Sequence, residues 1–332
     1  MIECPPVTVV IPTFRRTTGL TRAVESVFSQ SKLKHCNVKV LIVDNDPDGS
    51  ALDVAAGLAI RAPKRLDMKI VHEPKPGVAN ARNTAIHHVD TNLIAFLDDD
   101  QTAPERWLDA LIATHQRHPS AVVFGPVVTA LPEKIRAHRR YLKRFFARTL
   151  EAEDGPIDRF FGCGNALIDL SRVPLKRPLF DISRNETGGE DDLLFQTIEK
   201  EGGGFAWSPC ARVFEHVPPS RAKLSYTLQR AVSYGAGPSN LAQSGGENRW
   251  LKTAFWMAVG AGQVGIFGAA SVCAFILQLE NRAEWYDRAA QGLGKIFWWK
   301  HRGFYGADSP EFKSPAPRAC DTSADGTAPL GA

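Results

Sequence analysis

Two groups of carboxylates stand out among the residues able to do chemistry. Leu93-Ile-Ala-Phe-Leu97 runs directly into Asp98-Asp99-Asp100. Three carboxylates at the end of a buried strand repel one another and are costly without a counter-ion. A hard divalent cation, Mg²⁺ or Mn²⁺, removes that repulsion and keeps coordination sites for substrate phosphates. The competing account is an acidic turn capping a helix that starts near Pro104. The second group is Gly188-Gly-Glu-Asp-Asp192, followed by the apolar Leu193, Leu194 and Phe195. Its glycines let the backbone approach a ligand, and Glu190–Asp192 sit where a helix would begin. The helix dipole alone accounts for acidic residues there. A carboxylate in that place is equally able to deprotonate a hydroxyl nucleophile.

Further polar residues fall at similar places. Asp44 closes the apolar run Leu41-Ile-Val, and Pro12-Thr13 closes Val7–Ile11. Glu73-Pro-Lys-Pro-Gly77 leads into Val78-Ala-Asn-Ala-Arg-Asn83, which puts Arg82 and Asn83 on an early helical turn. An arginine near a helix N-terminus can meet a diphosphate together with backbone N–H groups. The plainer alternative is a surface arginine on an amphipathic helix.

The elements that must position these residues alternate in type. Strand-like runs at Val7–Ile11, Val38–Val43, Met68–Val71, Leu93–Leu97 and Ala121–Val128 are interleaved with helical patterns at Thr21–Ser29, Gly77–Val89 and Pro104–Arg117. That alternation implies βαβ units, an α/β fold and a mainly parallel sheet. Ligands of such sheets bind beyond the carboxyl ends of the strands, where the polar residues above fall. The chain of 332 residues has a formal net charge of +4, which does not argue for a nucleic-acid partner. Its six cysteines are scattered, without metal-site spacing, so a disulfide framework is not expected and a reducing compartment fits. No signal peptide is evident at Met1–Pro6, and the N-terminal domain is expected to stay in the cytosol.

Together these segments resemble the family-two glycosyltransferases, which have the GT-A nucleotide-sugar fold. The resemblance rests on Val9-Val-Ile-Pro-Thr-Phe-Arg15, Val43-Asp-Asn45, Gly77-Val-Ala-Asn-Ala-Arg-Asn83, Ile94-Ala-Phe-Leu-Asp-Asp-Asp100, Gly162-Cys-Gly-Asn-Ala-Leu167 and Gly189-Glu-Asp-Asp192, in that order. It covers the first two-thirds of the chain and is nearest to bacterial exopolysaccharide glucosyltransferases of the succinoglycan type. It implies that Pro12, Thr13, Arg15 and Asp44 hold the nucleoside of the donor, a UDP-sugar being favoured, with Asp44 reading the base. Arg82 would approach the diphosphate and Asp98 the ribose. Asp100 would ligate the metal, with Asp98 or Asp99 beside it. Gly164 and Asn165 would line the acceptor side. Asp191 would be the general base, and Glu190 would orient it or bind an acceptor hydroxyl. One base and direct attack imply inversion at the anomeric carbon. In some enzymes of this fold a late histidine completes the metal shell, a place open here to His216, though a structural histidine accounts for it as well. The Q-x-x-R-W motif of processive synthases is only partly echoed by Gln229-Arg230.

Later segments read as membrane features. Thr253 to Leu279 has no charged residue and is long enough for a span, which takes roughly 20 residues. Gly265 and Gly268 leave open a bent, re-entrant hairpin. Trp285, Trp298, Trp299 and Lys300-His-Arg302 look like interfacial anchors. The stretch 134–148 interleaves seven basic residues with Tyr141, Leu142, Phe145 and Phe146, a basic amphipathic surface. These features suggest a membrane-associated enzyme at the cytoplasmic face of the inner membrane, acting on a lipid-linked saccharide acceptor. The expected division is a catalytic domain over 1–240, a membrane-associated helical segment over 250–303 and a disordered tail over 304–332. A metal-dependent nucleotidyltransferase is the main rival, but Pro12-Thr-Phe-Arg-Arg16 stands where its glycine-rich loop belongs. A catalytically inactive membrane-bound homologue would show eroded carboxylates, and both groups are intact.

Overall fold

The computed structural model describes residues 5–31, 36–173, 178–185, 188–244 and 246–300. The expected tail, together with His301 and Arg302, lies outside them. The chain begins β1 (Val7–Thr13), α1 (Thr17–Phe28), β2 (Val38–Asp44), α2 (Leu52–Arg61), β3 (Asp67–His72), α3 (Val78–His88) and β4 (Leu93–Leu97). It continues through β5 (Gln101–Thr102), α4 (Trp107–Arg117), β6 (Val122–Phe124), β7 (Val127–Ala130), α5 (Arg139–Phe146), β8 (Gly155–Ile157) and β9 (Asn165–Asp169). The remainder is α6 (Glu190–Lys200), β10 (Phe205–Trp207), β11 (Val213–His216), α7 (Leu224–Ser244), α8 (Arg249–Ile276) and α9 (Arg282–Ile296).

An eight-stranded sheet runs β3-β2-β1-β4-β9-β6-β10-β8, with β3, β2, β1 and β4 mutually parallel and β9 antiparallel to both neighbours. Successive side chains of a strand face opposite sides of the sheet, and the β-branched strands fill both. Val7, Val9 and Ile11 of β1 pack with α1, α2 and α4 on one side, while Val10 joins Phe96, α3 and α6 on the other. The α/β, mainly parallel fold read from the sequence is therefore present.

The run at Ala121–Val128 is not one strand. Gly125-Pro126 interrupts it, since proline cannot donate to a ladder, and β7 leaves the main sheet for a second one ordered β5-β11-β7. Two features of the main sheet position the site. Chain order reverses at β1, which lies between β2 and β4, so the carboxyl ends of β1 and β4 open a crevice. The antiparallel register Leu97↔Asn165 then brings the start of β9 to the end of β4.

At the far end α8 and α9 form an antiparallel pair, and α7 packs on α9. Small residues allow the close approach. A Cβ at Gly294 would fall 1.9 Å from the Val232 carbonyl oxygen, and one at Gly260 would fall 2.7 Å from that of Gly292. Gly265 and Gly268 lie within the uninterrupted α8, and the chain turns at 277–281. A hairpin bent at those glycines is therefore not formed. Tyr141 of α5 donates to Asp287 of α9 at 2.9 Å, tying this helical unit to the rest. Among the cysteines, Cys36 is disulfide-bonded, while Cys163, Cys210 and Cys273 are free.

Candidate functional site

A cleft of about 440 Å³ opens at the carboxyl ends of β1 and β4. Pro12, Thr13, Asp98, Asp99 and Asp100 line it on one side. The Thr13 hydroxyl donates to Asp99 Oδ2 at 2.8 Å. Arg16 donates from one nitrogen to Asp99 Oδ1 at 3.1 Å and to Asp100 Oδ2 at 3.0 Å. Burial nevertheless pushes the Asp99 carboxyl up to about 6. Asp98 is raised too, first by burial and then by the charge of Asp100, against the pull of Arg82 and Arg148. Gly164 sits hard against it, because a Cβ there would fall 2.1 Å from Asp98 Oδ2. Only glycine fits.

Across the cleft lies the first turn of α6. Gly189 precedes it with φ of +85°, a left-handed conformation that glycine adopts without penalty. Phe195, fully buried against Phe124 at 5.1 Å between centroids, anchors the helix. Glu190 and Asp191 thereby line the cleft. The Cys163 backbone N–H donates to Asp191 Oδ2 at 3.1 Å, and Arg82 Nη1 lies 3.8 Å from the same oxygen. The same Arg82 nitrogen donates to Glu190 Oε1. Burial opposes the charge of Arg82, but Cys163, Glu190, Asp191 and Asp98 around it raise its pKa. Burial also pushes the Cys163 thiol up, which keeps it neutral.

A third wall was not foreseen. Glu215 of β11 lines the cleft and accepts from Arg148 at 2.9 Å. Burial raises its carboxyl to about 7, with Asp100 and Asp98 adding to the rise and Arg148 opposing it. Arg148 is placed by a backbone bridge to Val127 at the start of β7. Arg221 approaches Asp100 Oδ2 at 3.7 Å. Beyond these, Phe145 and Phe146 of α5 face Tyr226, Arg230 and Tyr234, spaced four apart along α7. The Phe146 and Tyr226 rings are stacked at 6.3 Å, and the Arg230 guanidinium lies 5.0 Å from the Tyr234 ring centre.

Several expected site residues lie elsewhere. Asp44 does not line the cleft. Its oxygens accept from Asp46 N at 3.1 Å and Ala51 N at 2.7 Å, bracing the loop after β2. Arg15, at φ +55°, turns away to pair with Asp46 at 2.9 Å, and its neighbour Arg16 enters the cleft instead. Asn165 is 1% exposed and spends its amide on Pro126, Ala211 and the Trp107 indole, so it clamps the scaffold beneath the cleft. His216 bonds Thr102 at 2.9 Å. Adjacent strand residues point to opposite faces, so when Glu215 faces the cleft, His216 does not. The N-terminus of α3, expected to meet a diphosphate, is capped by the Asn185 side chain, which accepts from Ala79 N at 3.0 Å and Asn80 N at 3.2 Å. Proximity in sequence signals Arg16 and Glu215. The α5 half of that wall is signalled by Phe145 and Phe146, read from the sequence as part of a basic amphipathic membrane surface and found here lining the cleft, and the α7 half only by the Gln229-Arg230 echo.

The donor set suits a hard cation. Asp98 and Asp100 are carboxylates of like charge facing one cleft, and that repulsion is what Mg²⁺ or Mn²⁺ relieves. Among the described residues no three His, Cys, Asp or Glu side chains form a metal cage by themselves. A mainly parallel sheet with its switch point at β1, carboxylates at the end of β4 and an acidic helix start opposite make up a GT-A type fold. Residues 8–171 match the glycosyl transferase family 2 model. The chain is 30% identical over 270 residues to the succinoglycan biosynthesis protein ExoM of Rhizobium meliloti, covering 79% of this chain and 83% of that one. It is a member of glycosyl transferase family 2, related to exopolysaccharide synthesis enzymes. The solved mannosyltransferase PcManGT of Pyrobaculum calidifontis, in complex with GDP-Man and Mn²⁺, shares the fold at TM-score 0.55 and 17% identity, over 90% of this chain and 88% of its own. GalNAc-T7 with UDP, GalNAc and Mn²⁺ shares it at TM-score 0.50 and 16% identity, over 72% and 51%.

Proposed function

We propose that this glycosyltransferase is inverting and metal-dependent, and that it moves a sugar from a nucleoside diphosphate donor, UDP-linked by preference, to a lipid-linked saccharide. The carrying observation is one cleft that gathers Asp98 and Asp100 on one wall and Asp191 on the other, with Gly164 against Asp98 and the Cys163 N–H on Asp191. Asp191, its Oδ2 steered by the Cys163 N–H, takes the proton from the attacking acceptor hydroxyl. That oxygen bonds the anomeric carbon as the bond to the diphosphate oxygen breaks, and the electron pair leaves with the nucleoside diphosphate. A divalent cation bound by Asp98 and Asp100 would offset the charge growing on that leaving group. Pro12 and Thr13 line the donor side, and Arg16 fixes Asp99 and Asp100 in place.

The acceptor side is open toward the α5–α7 wall, whose aromatic rings and Arg230 suit a sugar next to an anionic headgroup. The lipid reading draws support from α8, the one helix among the described residues long and apolar enough to cross a membrane. Purified protein given a panel of nucleotide sugars should release nucleoside diphosphate, and excess EDTA should stop it. Release of pyrophosphate would make the protein a nucleotidyltransferase, and release that survives EDTA would remove the metal.

A further inference from the structure

The pair of α8 and α9 is joined to the catalytic unit near the middle of its length. Tyr141 of α5 donates to Asp287 of α9 at 2.9 Å, and Arg144 of α5 donates to Glu284 at 3.1 Å. On its other side the same stretch of α9 holds the middle of α8. The Gln263 side-chain amide donates to the Arg288 carbonyl at 2.8 Å. The Phe267 and Trp285 rings stack at 5.9 Å, and the Arg288 guanidinium lies 5.2 Å from the Phe267 ring centre. The outward face of α8 is exposed. Leu251, Phe255, Val259, Ile266, Cys273 and Ile276 recur along it at helical spacing, and only 17% of the most apolar stretch of the helix is buried.

These contacts decide how a bilayer can take the helix. At about 1.5 Å per residue the 28 residues of α8 run roughly 42 Å, more than the roughly 30 Å of hydrocarbon in a bilayer. Were α8 to cross, α9 would be drawn in alongside it with Arg282, Glu284, Asp287, Arg288 and Lys295. The contacts of α5 would then stand at the level of the bilayer centre. Charged groups at that depth are costly, and a folded polar unit has no place there. A second protein copy in water is a poorer cover. Helices that pair in water flank their apolar seam with charges, whereas Thr253 to Leu279 is uncharged around its whole circumference. A leaflet covers the full width of such a face. At one end of the antiparallel pair cations sit beside aromatic rings, Arg249 5.4 Å from the Trp250 ring centre and Lys300 5.2 Å from that of Phe297. That combination settles at lipid headgroups. We propose that α8 and α9 form a monotopic anchor, in which α8 lies along the plane of one leaflet with its outward face among the acyl chains and does not cross the bilayer. Because α7 packs on α9 and also lines the cleft, the anchor holds the cleft mouth at a fixed height above the lipid. The anchor is independent of the sugar-transfer chemistry.

Thiol labelling of the full chain with a membrane-impermeant maleimide tests this. It is run with and without preformed phosphatidylcholine–phosphatidylglycerol vesicles, whose trapped dye shows that they stay sealed, and peptide mass spectrometry reads each cysteine. In wild type, Cys273 is exposed on the outward stripe of α8 and Cys210 is exposed on the catalytic unit. Vesicles should slow labelling of Cys273 by roughly tenfold or more and leave Cys210 within about twofold. Unchanged labelling of Cys273 overturns the proposal. Protection without vesicles that rises with protein concentration also overturns it, and assigns the face to a second copy. Glu280→Cys, in the exposed turn between α8 and α9, separates lying from crossing. Its thiol should label on sealed vesicles within about twofold of Cys210 and gain nothing from detergent. A thiol protected roughly tenfold or more until detergent is added puts the turn within or beyond the bilayer and overturns the proposal. Thermal unfolding checks that the variant is folded, and the wild-type arm needs no variant. Neither arm reads turnover, so the proposed chemistry stands or fails separately.

Discussion

At position 191 the difference between aspartate and asparagine is one proton-accepting charge within nearly the same shape. Asp191→Asn should keep the Cys163 contact, donor affinity and metal response while losing turnover by roughly 10²–10⁴-fold. Loss of donor affinity with turnover preserved at saturation would make Asp191 a binding residue instead. Asn165 gives the opposite expectation. Its side chain joins Trp107, Pro126 and Ala211, so Asn165→Ala strands buried partners and should cost about 1–3 kcal/mol of stability. Denaturant unfolding would register that cost, and acceptor KM should hold steady near the wild-type value. The contrast explains what a motif conveys at this scale. That Asp98, Asp100, Glu190 and Asp191 share one cleft was legible because strand ends and helix starts of βαβ units gather at one edge of the sheet. The contacts that Asp44, Arg15, Asn165 and His216 make outside the cleft were not legible, because a string of letters does not record which way each side chain points.

The strands and helices of the catalytic half were legible from periodicity, since both faces of the sheet are buried and the β-branched runs are short. What was not legible is packing between elements. The break at Gly125-Pro126 sends β7 into a second sheet, and only that displacement brings Glu215 and Arg148 to the cleft. The glycines of the helical unit divide in the same way. Gly294 abuts the Val232 carbonyl of α7, whereas Gly265 and Gly268 have nothing within 4 Å of an added Cβ. Gly294→Leu should therefore part α9 from α7 and cost about 1–3 kcal/mol or more through overpacking. Gly265→Ala should stabilise α8 by roughly 0.5–1 kcal/mol, because alanine is the better helix former. Thermal unfolding of the two variants separates them by sign. Equal effects would mean that the α7–α9 contact does not hold the unit together.

For the molecule as a whole, the question is how a polar cleft and an apolar helix work together. α7 belongs to both: Tyr226, Arg230 and Tyr234 line the cleft, while Gly235 packs against Gln291 of α9. Removing α8 and α9 would therefore bare a wall of the site, and a test of membrane attachment must leave them in place. Leu251, Phe255, Val259 and Ile266 form an exposed apolar stripe at helical spacing on α8. Changing all four to Ser should leave nucleotide binding intact and abolish flotation with phosphatidylglycerol liposomes. Undiminished flotation would locate attachment elsewhere. The account's central claim is sugar transfer by direct displacement with Asp191 as the base. Its most direct measurement is ¹H NMR of the sugar released to water from UDP-α-glucose, or from whichever α-linked donor the protein consumes, in Mn²⁺ and before mutarotation. The β anomer should appear first and Asp191→Asn should suppress it. An α anomer released first would mean retention, and with it a chemistry that this cleft and this base do not explain.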